Sequence, residues 1–578
     1  MRKFLSTFGL ALVCLCAVAI VATAQTPDPG TTGPYAVTRE EYNYGDLAFQ
    51  PTGFPSAVEL KASVHHPTDL TGGPFPVVVF LHGRHVTCYK GTQTALRWPC
   101  MSTQQPIPSY QGYDYIAQVL ASNGYFVISI SANGINAFDN NVNDLGMQAR
   151  AELMQRHLDQ WKTFNTTGAA PFGTKFVGKV DLTRVGTMGH SRGGEGVVKH
   201  YVYNASLGSP YGIKAVFPLA PVDFNRPVVN NAALGVILPY CDGDVSDNQG
   251  VHFYDDARYN VAGDTGAKHT IQVMGGNHNF YNTIWTPGLF SAGTADDWNS
   301  FVTGGTSDSQ CGTVTGNHRL TSAQQRGTGL AYLSAFMRVY VGGETQFTPI
   351  LTGAAPPPAS AQTTDLHVSY HAPSSATKRL DVNRLLNATN LTTNTLGGTT
   401  TQSGLTPHDL CGGDSPEPQH CLPSTQSTNR QPHTTPSARS TLRGLSQLRT
   451  GWSANGATYT NNLPVGTGNV SGFQALQFRV SVNFSDTRNP NAAQNFTVVL
   501  VDGAGAQSSV RVGDVSTVLF YPPGTTGPVP KVLLNTARIP LTAFTGVNLT
   551  DIRSVQFRFD QTTQGALLIS DLAFAAAP

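Results

Sequence analysis

The sequence is poor in charge. Only 12% of its 578 residues are Asp, Glu, Lys or Arg, about half of the ~25% usual in soluble domains. The 36 basic and 35 acidic residues nearly cancel. No dense Lys/Arg run and no alternation of aromatic and basic residues occurs, so nothing points to nucleic acid or to a strongly acidic partner. Tryptophan is also scarce: of five in the chain, Trp452 alone follows Trp298. That leaves little material for the exposed aromatic platforms of a polysaccharide-binding surface. No CxxC pair is present, which removes the commonest zinc pattern. Beyond the first 24 residues no apolar run is long enough to span a bilayer, and no internal repeat of useful period is found.

What is there begins with an export signal. "MRK" is a basic start, "FLSTFGLALVCLCAVAIVA" an apolar run, and "ATA" before Gln25 a small-residue cleavage site. Residues 1–24 therefore read as a signal peptide, and the mature chain as a secreted protein, extracellular or periplasmic. The abundant Gly, Ser, Thr and Asn suit an uncharged polar surface. Six cysteines remain after Cys14 and Cys16 leave, an even number suited to an oxidising compartment. Six allow 15 pairings, and close spacing favours Cys88 with Cys100 and Cys411 with Cys421, which leaves Cys241 with Cys311.

The length predicts more than one domain, since single cores stop growing near ~250 to 300 residues. From about residue 55 to 343, apolar runs alternate with helix-period segments, as expected for a sheet covered by helices. "VVVFLH", "YFVISIS", "RVGTMG", "KAVFPLA", "GVILPYC" and "TIQVMGG" read as strands. "YDYIAQVLASNG", "ARAELMQRHLDQWKTF" and "SAQQRGTGLAYLSAFMRVYV" read as helices, with Gly124 as a C-terminal cap. Residues 351–364, "LTGAAPPPASAQTT", have linker composition. From 365 to 578, strand-like runs come at short intervals, and in "VQFRF" Val555, Phe557 and Phe559 share one face. The expected fold is an α/β domain, a mostly parallel sheet flanked by helices, followed by an antiparallel β-sandwich with a long loop around 398–450.

"GHSRG", Gly189 to Gly193, lies between a strand and a helix. A serine on such a turn needs a strained backbone and small neighbours, which explains the crowded glycines and makes Ser191 the candidate nucleophile. A serine hydroxyl needs a histidine to take its proton and a carboxylate to orient that histidine. His278 in "GGNHNF" follows the strand "TIQVM" and stands at the right end of the sheet. His269 precedes that strand and reads as structural, as do His200 and His318. The turn "CDGDVSDN" offers Asp242, Asp244 and Asp247; Asp244 is preferred as the acid and Asp242 placed second. The same cluster with Asn248 has oxygen ligands for calcium but lacks the twelve-residue loop pattern. No metal or cofactor is expected. For the oxyanion, the backbone N–H groups of Arg192, next to the serine, and of Arg84, after the glycine turn at Gly83, are the candidate donors. His82 reads as packed, His85 as cleft-lining, and Glu195 as a first-turn carboxylate within reach of Arg192.

On "GHSRGG", "FLHGR", "CDGD" and "GGNHNF", residues 35–345 resemble the α/β-hydrolase superfamily, most of all its secreted bacterial lipase, cutinase-like polyester hydrolase and chlorophyllase-like branch. The resemblance implies a Ser191, Asp244, His278 triad, an acyl-enzyme and an ester substrate. From composition, neither stable membrane insertion nor a nucleic-acid partner is expected. The chain departs from that branch at Val222 and Arg192, where polyester hydrolases often carry tryptophan and methionine. The last 130 or so residues resemble galactose-binding-like jelly-roll modules, which implies a possible polysaccharide contact. The same scaffold also serves serine peptidases and silent adhesion proteins, so those readings stand beside the esterase.

Overall fold

The computed structural model describes residues 26–293, 308–312, 317–412, 421, 446–484, 486–489, 491–524 and 533–578. The expected signal peptide lies outside them. Among the described residues no helix is long and apolar enough to cross a membrane.

The first domain is built on one nine-stranded sheet. Its strands are β1 (Val37–Asn43), β2 (Lys61–Pro67), β3 (Phe75–Leu81), β4 (Phe126–Ile130), β5 (Val180–His190), β6 (Ile213–Leu219), β7 (Ala233–Pro239), β8 (Lys268–Val273) and β9 (Leu366–His371). Their order across the sheet is β1-β2-β4-β3-β5-β6-β7-β8-β9. From β4 to β8 the pairing is parallel, and β1, β2 and β9 are antiparallel additions at the edges. Continuous apolar runs such as "FPVVVFL" suit central strands covered on both faces. Val77, Val79 and Leu81 of β3 pack with α3 (Met147–Thr166) and α4 (Arg192–Ser206). Val78 and Phe80 pack on the other side with α1 (Asp114–Ser122) and the long helix Ser322–Tyr340. Gly124 closes α1 at φ +91°, the left-handed conformation expected of a glycine cap.

The stretch expected to be a linker is folded against the first domain. Ser360 binds Asp28 through both its amide, at 2.7 Å, and its hydroxyl, at 2.5 Å. Just beyond it, β9 pairs along the whole of β8, so residues 366–371 belong to the first domain's sheet, past the boundary expected at 365. The physical reason is the exposed edge of β8, whose unpaired backbone groups β9 satisfies.

The rest of the chain forms two antiparallel sheets packed face to face. One carries Leu405–Cys411, Gln447–Trp452, Gly565–Ala575, Ala475–Val482 and Asn535–Pro540 in that order, with Arg379–Asn383 also on Gly565–Ala575. The other carries Thr400–Ser403, Ala457–Asn462, Ile552–Phe559, Thr497–Asp502 and Gln507–Arg511. Val555, Phe557 and Phe559 are buried together between the sheets, and Trp452 stacks on Phe559 with ring centres 4.5 Å apart. Trp452 is thus a core residue. Strands occupy both ends of the expected 398–450 loop, whose centre, 413–420 and 422–445, is outside the described residues. The disulfides are Cys88–Cys100, Cys241–Cys311 and Cys411–Cys421.

Candidate active site

Ser191 stands between β5 and α4 with φ 58° and ψ −122°, a conformation that a non-glycine residue holds only when its surroundings force it. The surrounding glycines let the turn close. A Cβ on Gly189 would lie 1.9 Å from the Gly193 carbonyl oxygen, one on Gly193 2.4 Å from that of Leu81, and one on Gly194 2.5 Å from Pro221 Cβ. Gly83, after β3, approaches equally closely: its Cβ would fall 2.5 Å from Ser191 Cβ. The ends of β3 and β5 therefore meet at the serine because both sides lack side chains there.

His278 follows β8 and is buried. Its Nδ1 lies 2.8 Å from Asp242 Oδ2. Asp242 follows β7, is fully buried, and its other oxygen accepts the amides of Asp244 at 3.0 Å and Val245 at 2.6 Å. The structure thus gives the Nδ1 position to the aspartate placed second in the sequence. Asp244, the preferred one, has a side chain 53% exposed and lies 3.6 Å from the other ring nitrogen, Nε2. The turn explains the exchange: with the Asp242 carboxylate folded inward to cap it, the third residue of "DGD" is left on the outer side. Cys241, one residue before Asp242, is bonded to Cys311, a covalent loop of the size worth roughly 4 kcal/mol that encloses His278. Asp247 caps Gln249 at 3.1 Å and Asn248 binds the Pro239 carbonyl at 2.8 Å. Among the described residues no group of three or more His, Cys, Asp or Glu side chains is arranged to hold a metal ion.

Two residues missed in the sequence tie the serine and histidine loops together. His190 donates from Nε2 to the His278 carbonyl at 3.0 Å, and its Nδ1 accepts from the Tyr113 hydroxyl at 3.0 Å. Burial drives its pKa well below the usual histidine value, so it is a neutral strut. Trp285 lies 4.7 Å from the His190 ring, stacks on His85 at 5.2 Å and donates Nε1–H to Ser109 Oγ at 3.0 Å. The middle residue of "GHS" was the available signal for His190; Trp285 had none.

Arg192 directly follows Ser191 at the start of α4, and Arg84 follows Gly83, the residue that packs against Ser191. Among the described residues neither main-chain N–H donates to a protein acceptor. The Arg192 side chain goes to Asp139, with Nη1 2.8 Å from Oδ2, and not to Glu195. Glu195 accepts the Phe224 amide at 2.7 Å and the Asn225 amide at 2.9 Å, fixing the loop after β6. Burial, helped by nearby Asp223, pushes its pKa up to about 7. His82 is buried as expected. His269 bonds the Leu351 carbonyl and the Tyr340 hydroxyl, and His200 bonds Gln155, all away from the serine.

A sheet of this order, with a strained serine after β5, a carboxylate after β7 and a histidine after β8, defines an α/β-hydrolase fold, here followed by a β-sandwich. A family model described as PETase, PET hydrolase-like, matches residues 87–287, a span that contains Ser191, Asp242 and His278 together. That family acts on esters. No curated protein matches the chain.

Proposed function

We propose that the protein is a secreted serine hydrolase of carboxylic esters, working through an acyl-enzyme with Ser191, His278 and Asp242 as its triad. Ser191 Oγ attacks the ester carbonyl as His278 Nε2 takes its proton. Asp242, on Nδ1, keeps the ring in the tautomer that leaves Nε2 free to accept, and stabilises the imidazolium that forms. The amide N–H groups of Arg84 and Arg192 receive the oxyanion. Collapse expels the alcohol, protonated by His278, and water activated by the same imidazole releases the acid. Asp244, beside Nε2 and exposed, does not orient the ring.

The observation that carries this reading is the convergence of the buried Asp242–His278 pair and the strained serine at the same end of three parallel strands. The family match supports an ester as substrate, whether lipid, polyester or acylated polysaccharide. A fluorophosphonate probe with a panel of short p-nitrophenyl esters and peptides tests it. The expected result is labelling at Ser191, ester turnover without peptide cleavage, and loss of both labelling and turnover in Ser191→Ala. Peptide cleavage would favour a peptidase, and an unlabelled, inert wild type would leave a silent scaffold.

A further inference from the structure

The peptide that joins Gly83 to Arg84 is held from behind. Its carbonyl accepts two interior hydrogen bonds, from His82 Nδ1 at 2.8 Å and from Asn136 Nδ2 at 2.9 Å. His82 Nε2 accepts the Ala132 amide at 2.9 Å, which places the ring proton on Nδ1, facing the carbonyl. Burial holds the His82 pKa down to about 3, so this donor is neutral throughout the working range. The Asn136 amide is oriented as well, because its Oδ1 accepts Arg150 Nη2 at 2.8 Å. The Gly83–Arg84 bond is not among the cis peptides. In a trans peptide the N–H points opposite to the C=O, so fixing the carbonyl inward also fixes the direction of the Arg84 N–H, next to the Gly83 that packs against Ser191.

The second anchor is Asp139, whose carboxylate is wholly buried. It binds Arg84 Nε at 3.0 Å, Arg150 Nη2 at 2.9 Å and Arg192 Nη1 at 2.8 Å. The two residues read as oxyanion donors are therefore tied through their side chains to one carboxylate. Asn136 lies on the short helix α2 (Asn133–Phe138), and Asp139 follows it directly. The start of that helix is itself fastened by buried Glu59, which accepts the amides of Asn133 at 2.6 Å and Gly134 at 2.9 Å.

We propose that Asn136 and Asp139 are positioning residues of the oxyanion hole, the first setting the direction of the Arg84 N–H and the second holding the Arg84 and Arg192 amides in fixed relation. The inference rests on the reading of Ser191 as nucleophile. Neither side chain touches substrate, and both act before the reaction by removing the reorganisation that mobile donors would need.

The test uses full-length Asn136→Ala and Asp139→Asn, with kcat normalised to Ser191 sites titrated by the p-nitrophenol burst. Phenylboronic acid serves as a tetrahedral mimic. Deleting an oxyanion donor outright costs about 10²- to 10³-fold, so misaiming one is expected to lower kcat roughly 10- to 100-fold. KM should stay within about threefold, and the boronate inhibition constant should rise by the factor that kcat/KM falls, as expected of a mimic bound by the same donors. A purely structural role would reduce the number of titrated sites and leave kcat per site and boronate binding as in the wild type; that result overturns the inference. Should either variant fail to fold, Arg84→Ala, which removes a partly exposed guanidinium, carries the test: weaker boronate binding supports the tether and unchanged binding overturns it. A wild type without ester turnover would instead refute the nucleophile reading itself, and Ser191→Ala separates the two failures.

Discussion

The two halves of the molecule bury polar groups for different ends. In the hydrolase domain, Asp139, Asp242, His190 and His278 converge at the ends of β3, β5, β7 and β8, around a serine held in a strained conformation. In the sandwich, the interior is Trp452, Phe478, Phe496, Phe557 and Phe559, and the buried charges Arg479 and Asp571 lie where it meets the first domain. Arg479 binds Asp255 at 2.7 Å, Asp571 pairs with Arg258, and Tyr240 donates to the Pro523 carbonyl at 2.6 Å. With β9 on the hydrolase sheet, these contacts fasten the sandwich along one side of the first domain. In the first half these buried polar groups surround the candidate nucleophile, and in the second the buried ion pairs make a joint.

If that contrast holds, substitutions in the first half change rate and those at the joint change stability. The largest effect is expected from Asp242→Asn, which should lower kcat about 10⁴-fold by stabilising the wrong tautomer of His278, with little change in the melting temperature. Stopped assays with a short ester check it.

Next comes acid. Burial lowers the pKa of His65 and His85 to about 4 and that of His82, His157, His200 and His269 to about 3, against 6.5 when unfolded. Groups with a depressed folded pKa bind more protons in the unfolded chain, so the stability they contribute is full above pH 6.5 and drains as the pH falls toward 3. Glu195 and Asp114, pushed up by burial to about 7 and about 6, act in the opposite sense but are outnumbered. Within the sandwich beyond β9, His408 alone among the described histidines has a lowered pKa. Hydrogen exchange at pH 5 should therefore show protection lost in β3 to β8 before the sandwich strands. Loss of protection in the sandwich first would contradict a histidine-driven acid instability of the first domain.

At the joint, Asp571→Asn leaves Arg258 and Arg479 to share Asp255 and should cost about 3 kcal/mol. Denaturant melts measure it, and kcat/KM of the folded enzyme should stay within about twofold, in keeping with a group remote from the chemistry. The smallest effect is expected from Asp244→Asn, an exposed carboxylate: a change in kcat of less than about threefold, as for a surface charge largely screened by solvent. A drop approaching that of Asp242→Asn would return Asp244 to the triad.

Part of this was legible in the chain. The elbow at Ser191 was readable because local sterics demand glycine at 189 and 193, and His278 because an apolar strand precedes it directly. Asp242 and Asp244 could not be ranked, since "DGD" fixes a turn but not which carboxylate folds inward. The edge strand "VTREEYN" and β9 escaped notice because strands covered on one side, or following a proline-rich segment, lack the apolar runs that mark the centre of the sheet. Asp139 was invisible for another reason. Its partners Arg84, Arg150 and Arg192 are scattered along the sequence, and nothing in "AFDNN" announces them.

In the proposed reaction one serine forms the covalent bond. Rapid mixing of the wild type with p-nitrophenyl acetate, an acid quench within the burst and peptide mapping by mass spectrometry tests it most directly. A single acetyl group on Ser191 is expected. Turnover with no acyl adduct, or with the adduct on another side chain, would contradict it.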